Sequence, residues 1–262
     1  MELHQREELF VMPNPWDAGS AVLLQHMGFS ALGSSSAGFA FSQGLPDGKP
    51  TLEQVLAHLR ALCAVTSLPV SADSEDLFAA TPEEVFKNLT KVAATGVVGG
   101  SIQDSSGDPV PALLPLSQAV ERVQAAVEAK NSLPFPFVLT ARAECLTNQS
   151  ATLDETIVRL KAYEKAGADV LFAPWVKTEA EVKAILDEVS RPVSVMLGFA
   201  GSDLDVSTLA RLGVRRVSTG GSFARAAYSL MLRAAKDIQQ EGTFAYAKET
   251  LTGKQLNQLF TN

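Results

Sequence analysis

Two cysteines in 262 residues, Cys63 and Cys145, are too few for a disulfide framework, and their spacing matches no zinc-ligand pattern. Histidine is equally scarce. His4 lies at the N-terminus, and His26 and His58 fall in segments of helical pattern. None stands where a strand is expected to end, so a histidine-based triad or a histidine-rich zinc site is not expected. No apolar run approaches the ~20 residues needed to span a bilayer. The polar opening MELHQREELF does not read as a signal peptide, and a cytoplasmic protein is expected. Positive charge is also short: the net charge is −7, with no basic stripe of the kind a nucleic-acid binder carries. An acidic chain that binds an anion needs a local cation or arginine to do it.

Apolar residues make up 46% of the chain, enough for a large core, while charged residues make up 19%. Short β-rich runs alternate with helical patterns, which predicts a parallel sheet. Strands are expected at residues 9–12, 30–34, 69–73, 97–103, 137–141, 169–172, 193–197 and 216–218. Helices are expected at 17–27, from 51 to past 62, 81–95, 117–130, 154–167, 178–189, 206–212 and 223–240. Thr81, Pro82 and Glu84 form a capping-box start, Ser117 reads as a cap, and residues 35–50 read as a Gly- and Ser-rich loop. Eight strand–helix units in a chain of this length predict one (β/α)8 barrel domain over residues 1–262, an α/β TIM barrel. Residues 243–262 add one or two short C-terminal helices. A doubly wound sheet is the competitor, but no Gly-x-Gly-x-x-Gly turn follows the first strand.

In such a barrel the site lies at the C-terminal ends of the strands. Strand three runs into Ala72-Asp73-Ser74-Glu75-Asp76. Alternation puts Asp73 and Glu75 on one side, as a hard cation with oxygen ligands requires, or as a solvated acidic turn would equally show. Strand five ends Thr140-Ala141-Arg142-Ala143-Glu144-Cys145. Arg142 suits a bidentate carboxylate partner, or an internal salt bridge to one of those acids. Small residues at 33–38 and at Thr219-Gly220-Gly221-Ser222 leave room for an oxyanion on backbone amides, although plain turns are the commoner explanation. Phe39, Phe41, Phe78, Trp175 and Phe199 are open to two readings, apolar pocket or core.

Pro13-Asn14-Pro15-Trp16-Asp17-Ala18, Ser35-Ser36-Ala37-Gly38, Pro46-Asp47-Gly48 and Ala72-Asp73-Ser74-Glu75-Asp76 occur in this order. Ser101-Ile102-Gln103-Asp104-Ser105, Thr140-Ala141-Arg142 and Val214-Arg215-Arg216-Val217-Ser218 follow. Together, over residues 9–241, they resemble the isocitrate lyase/phosphoenolpyruvate mutase superfamily. The resemblance implies a (β/α)8 barrel that assembles as a dimer or tetramer by exchanging its last barrel helix. It implies a 2-oxo acid or its enol form bound on Mg2+, with Mn2+ as the other candidate ion. Asp73 would be the direct metal ligand, with Glu75 and Gln103 reaching the ion through water. Ser35 and the amides of Ser36 and Ala37 would hold the substrate's oxygens, Arg142 its carboxylate, and Asp47 would sit on a loop over the site. Two departures stand out. The Lys-x-Cys-Gly-His segment of the isocitrate and methylisocitrate lyases is replaced by Asp104-Ser105-Ser106-Gly107-Asp108-Pro109-Val110, and Gln103 stands where glutamate is usual. The expected function is a Mg2+-dependent lyase of a small 2-oxo or 2-hydroxy acid acting through an enolate. Oxaloacetate-type decarboxylation or C–C cleavage leads, and P–C cleavage is the lesser option. The alternatives are a non-catalytic 2-oxo acid binder and a Schiff-base aldolase using Lys177.

Overall fold

In the computed structural model, which describes residues 1–106, 112–147 and 151–261 and leaves the side chains of Ser106 and Ala112 aside, eight parallel strands form one sheet. They are β1 (Phe10–Met12), β2 (Leu32–Gly33), β3 (Val70–Ala72), β4 (Gly99–Gln103), β5 (Val138–Arg142), β6 (Val170–Phe172), β7 (Val193–Met196) and β8 (Arg216–Ser218). Neighbours run β1-β8-β7-β6-β5-β4-β3-β2 around the sheet. The remaining seam, between β1 and β2, is bridged just past β1, where the Gly33 amide donates to Pro13 O at 2.9 Å and the Asn14 side-chain amide to Ser34 O at 2.7 Å. The result is a nearly closed (β/α)8 barrel.

Each strand leads to an outer helix: α1 (Ala18–His26), α2 (Leu52–Val65), α3 (Pro82–Ala93), α4 (Leu116–Asn131), α5 (Leu153–Ala166), α6 (Glu179–Leu186), α7 (Val206–Leu212) and α8 (Ser222–Glu241). Local chemistry sets most of their starts. Asp17, Thr51, Thr81 and Thr178 each close a capping box, satisfying amides that have no acceptor within the helix. Gly167 ends α5 in the left-handed conformation at φ +103, open to glycine at little steric cost. Val55, Leu59, Val85, Leu89, Leu160 and Ile185 turn inward from their helices onto strand residues such as Leu139 and Leu171, forming the shell between helices and sheet.

Two local expectations need correcting, at residues 35–50 and at Ser117. Residues 35–50 contain a helix, Ser36–Ser42, capped by Ser35 and packed so closely that a side chain at Gly38 would lie 2.7 Å from Trp16 Cβ and 3.2 Å from Ala224 Cβ. Ser117 does not cap α4: the helix starts one residue earlier, behind Pro115, with no side-chain cap. The stretch after β4 forms a short antiparallel pair, Ser105–Ser106 with Ala112–Leu113, and residues 107–111 of that stretch lie outside the described residues. Beyond α8 come a 3-10 turn, Ala245–Glu249, and a helix, Gly253–Leu259, and a further short helix, Glu2–Gln5, precedes β1. No helix among the described residues is long and apolar enough to cross a membrane.

Candidate active site

The mouth of the barrel holds a small cavity of about 60 Å3. Asp73 and Arg142 line it together with Asn14, Ser34, Ser101 and Phe172. Asp73 follows β3 and is fixed from both sides. Its own amide donates to Ser34 Oγ at 2.8 Å, and its carboxylate accepts from the Ser36 amide at 3.1 Å and from Ser36 Oγ at 2.9 Å. Arg142, at the end of β5, faces it with Nη1 3.7 Å from Asp73 Oδ1. The same guanidinium lies over the Phe172 ring, 5.4 Å from its centroid, and pairs through Nε with buried Glu144. Arg142 is therefore ion-paired in this structure, as the salt-bridge reading expects, and it also lines the cavity.

Glu75 reaches the cluster by a route the alternation argument misses. The strand ends at Ala72, and Glu75 takes a left-handed backbone at φ +51, a costly conformation for a non-glycine residue. Its Oε1 is buried with no hydrogen-bond partner among the described residues. Burial, together with the neighbouring charges of Asp73, Asp47 and Asp76, pushes its carboxyl up to about 8. Asp47 sits at the solvent-exposed rim, next to Gly48, where an added side chain would lie 3.8 Å from Glu75 Oε2. Its carboxyl is also raised, by loss of solvation and by Asp73, while the Gly48 amide offsets part of this with a hydrogen bond at 3.1 Å. These crowded carboxylates, with an unpartnered buried oxygen among them, are oxygen donors of the kind that could hold a hard cation. Among the described residues, however, no three His, Cys, Asp or Glu side chains form a ready-made metal cage.

The structure brings together Asp47, Ser36, Asp73, Glu75 and Arg142. Gln103 stands apart. Its amide donates to Glu75 O at 2.9 Å, but its side chain turns to Ser105, 3.3 Å from Oγ. Ser35 spends its hydroxyl oxygen on the Gly38 amide, and the Ser36 amide is spent on Asp73. Ala37, in the first turn of the same helix, keeps an amide with no acceptor inside the helix. At the β8 corner, Asn14 Oδ1 accepts from the amides of Thr219 and Gly220 at 2.8 and 3.0 Å, so this turn is closed on the protein itself. The aromatics do not converge: Phe39 stacks on His58 in the core, and Trp175 meets Phe199 edge-on. Cys145 is buried, and burial pushes its thiol up, away from nucleophile chemistry. Lys177 is exposed and does not line the cavity.

A family model described as phosphoenolpyruvate phosphomutase matches residues 1–239. The chain belongs to that family. It is 31% identical to 2-methylisocitrate lyase of Escherichia coli over 87% of this chain and 79% of that protein. It is 27% identical to oxaloacetate decarboxylase of Pseudomonas entomophila over 94% and 84%. Among solved structures, a Burkholderia cenocepacia protein described as a lyase/mutase superposes with a TM-score of 0.97 at 45% identity, covering 100% of this chain and 94% of that one. The fold also matches oxaloacetate acetylhydrolase bound to 3,3-difluorooxalacetate, TM-score 0.89 at 23% identity, over 99% and 91%.

Within this family's barrel, Asn14, Phe172 and Asp104 act in ways their sequence neighbourhoods do not announce. Asp104, buried beneath the mouth, accepts from Tyr163 Oη at 2.5 Å, Arg159 Nη1 at 3.1 Å and the Glu144 amide at 2.8 Å, and so fixes the segment that carries Arg142's partner. Its chain neighbours gave no signal of this, since all three contacts come from far along the sequence.

Proposed function

We propose that the protein is a Mg2+-dependent lyase of a small 2-oxo or 2-hydroxy acid, working through an enolate. The observation that carries this is the juxtaposition of a fixed carboxylate, Asp73, with a cavity-lining arginine, Arg142, inside a ring of acids that repel one another. The names of the relatives, 2-methylisocitrate lyase and oxaloacetate decarboxylase, support the reaction class.

The donor set fits magnesium, which keeps several waters and takes only one or two carboxylates. Asp73 would hold the ion directly, with Glu75 and, after a turn of its side chain, Gln103 reaching it through water; Mn2+ would fit the same oxygens. When bound, the ion supplies charge neutralisation beside the substrate's oxygens. The chain's own residues do the rest. Arg142 would hold the substrate carboxylate as a planar fork, and the Ala37 amide and Ser35 hydroxyl would face its oxygens, joined by the Ser36 amide once Asp73 releases it. In a decarboxylation, the C–C bond to the departing carboxylate breaks and its electron pair enters the enolate. CO2 leaves, and a proton then adds to carbon. Bond breaking here needs a sink for electrons but no proton donor, which suits a chain without the Lys-x-Cys-Gly-His segment. Retro-aldol cleavage would instead draw on a base, a role Asp47 at the rim would take. P–C cleavage on the same site is the lesser option.

The assembly is a homo-oligomer, dimer or tetramer, joined through α8. This helix has twenty residues and only Ala224 is buried, while Leu230, Met231 and Leu232 stand exposed. We place the enzyme in the cytoplasm, with no nucleic acid or membrane as partner. The whole chain, 1–262, is taken as one domain, with 243–262 as its helical extension.

Proton NMR of a panel of 2-oxo and 2-hydroxy acids tests the reading, and the products name the bond broken. One observation favours a second reading, a non-catalytic oxo acid binder: Gln103 faces Ser105 rather than Asp73. Line broadening of oxo acids without turnover would establish that reading in place of the first.

A further inference from the structure

At the other end of the barrel, where the strands begin, lies a separate cavity of about 320 Å3. Leu3, Phe10, Val70, Val98 and Val138 give it apolar walls, and the one acid on its lining, Glu2, is exposed. Its inner end is Arg216. Met12, Ser71 and Arg216 line both this cavity and the mouth, so they form the partition between them. Barrels of this fold usually fill that level with branched apolar residues. Here Ser71, Thr140 and Ser194 leave it small and polar, and Arg216 crosses it.

Arg216 is 4% exposed. Its Nε donates to Ser194 Oγ at 2.9 Å, Nη2 donates to Thr140 Oγ1 at 3.0 Å, and Nη1 lies 3.4 Å from His4 Nε2. None of these partners is an acid. Arg159, by contrast, pairs with Asp104 and Glu155, and Arg142 with Glu144 and Asp73. A buried guanidinium stays charged, and an uncompensated buried charge is costly. Burial alone brings this one down to about 10, still fully protonated at neutral pH. His4 adds a second open group. It packs edge-on against Phe10 at 5.0 Å, and its buried Nδ1 has no partner among the described residues.

A cation with no counter-charge among the described residues, at the end of an apolar cavity of ligand size, specifies an anion with an apolar tail. We propose that this cavity binds a small aliphatic carboxylate, its head on Arg216 beside His4 and its chain against Phe10, Val70, Val98 and Val138. The mouth already has its own cation in Arg142, so this is a second anion site, independent of the reaction.

Calorimetric titration of the full chain with octanoate and with octanol tests it. Octanoate is expected to bind at least tenfold more tightly than octanol, and Arg216→Met is expected to remove that preference. Val98→Trp, which keeps the arginine and narrows the cavity at a partly exposed position, is expected to weaken octanoate at least tenfold with an unchanged circular dichroism spectrum. Asp73→Ala is expected to leave octanoate binding intact. Absence of binding, equal affinity for acid and alcohol, or loss of octanoate binding in Asp73→Ala would each overturn the proposal.

Discussion

Glu75→Gln is expected to stabilise the metal-free protein, and to do so only above mildly acidic pH. The folded chain holds the Glu75 proton far more tightly than an unfolded chain does, because burial and then Asp73, Asp47 and Asp76 raise the carboxyl from 4.5 to about 8. A group raised on folding contributes stability that is complete below its unfolded pKa and is lost as pH climbs to the folded one. Wild type should therefore lose stability relative to Glu75→Gln between pH 4.5 and about 8. The full interval, at about 1.4 kcal/mol per pH unit, sets a ceiling of about 5 kcal/mol. Water reaching a half-buried group and relaxation of its neighbours reduce the expected measured gain to about 2 kcal/mol. Urea denaturation in EDTA, at about pH 5 and about pH 8, reads the difference through the midpoint at constant slope. Saturating Mg2+ should then reverse the order, since an ion bound by the folded wild type adds stability that the weakened variant site cannot match. An equal gain at both pH values, or a variant less stable than wild type in EDTA at the higher pH, would refute the reasoning.

Arg142→Lys keeps the charge but loses the planar fork and the stacking on Phe172, so kcat/KM for a 2-oxo acid should fall about a hundredfold in steady-state assays. Asp104→Asn removes the carboxylate shared by Arg159, Tyr163 and the Glu144 amide; thermal unfolding should show a loss of about 3–5 kcal/mol, the cost of leaving Arg159 buried with only Glu155. Size-exclusion chromatography with light scattering should give a dimer or tetramer, and Leu232→Glu, at a site 65% exposed on α8, should shift it toward smaller species; a monomeric wild type would contradict exchange of that helix.

Much of the barrel was legible because its signals are local. Thr51, Thr81 and Thr178 announce helices through side chains that bond amides three residues on, and Gly28 and Gly167 end them through conformations glycine adopts easily. What the sequence hid depends on contacts across the fold. The helix Ser36–Ser42 reads as a glycine- and serine-rich loop until Trp16 and Ala224 close around Gly38. Asp73 and Arg142 stand at strand ends, where the fold rule looks for them. Glu75 joins them only because its backbone turns left-handed, which breaks the alternation that first placed it beside Asp73. Gln103 sits at the expected strand end, yet its side chain bonds Ser105, a choice that strand position does not determine. Arg216 could be read as a strand residue, but its lack of an acidic partner among the described residues depends on what the barrel interior brings around it.

The most direct measurement is turnover of oxaloacetate and related 2-oxo acids by wild type and Asp73→Ala, in Mg2+ and then in EDTA, followed by proton NMR. Turnover by wild type in Mg2+ alone, abolished both by EDTA and by Asp73→Ala, is the predicted result. Turnover that survives EDTA, or that Asp73→Ala leaves unchanged, would contradict a magnesium lyase built on Asp73.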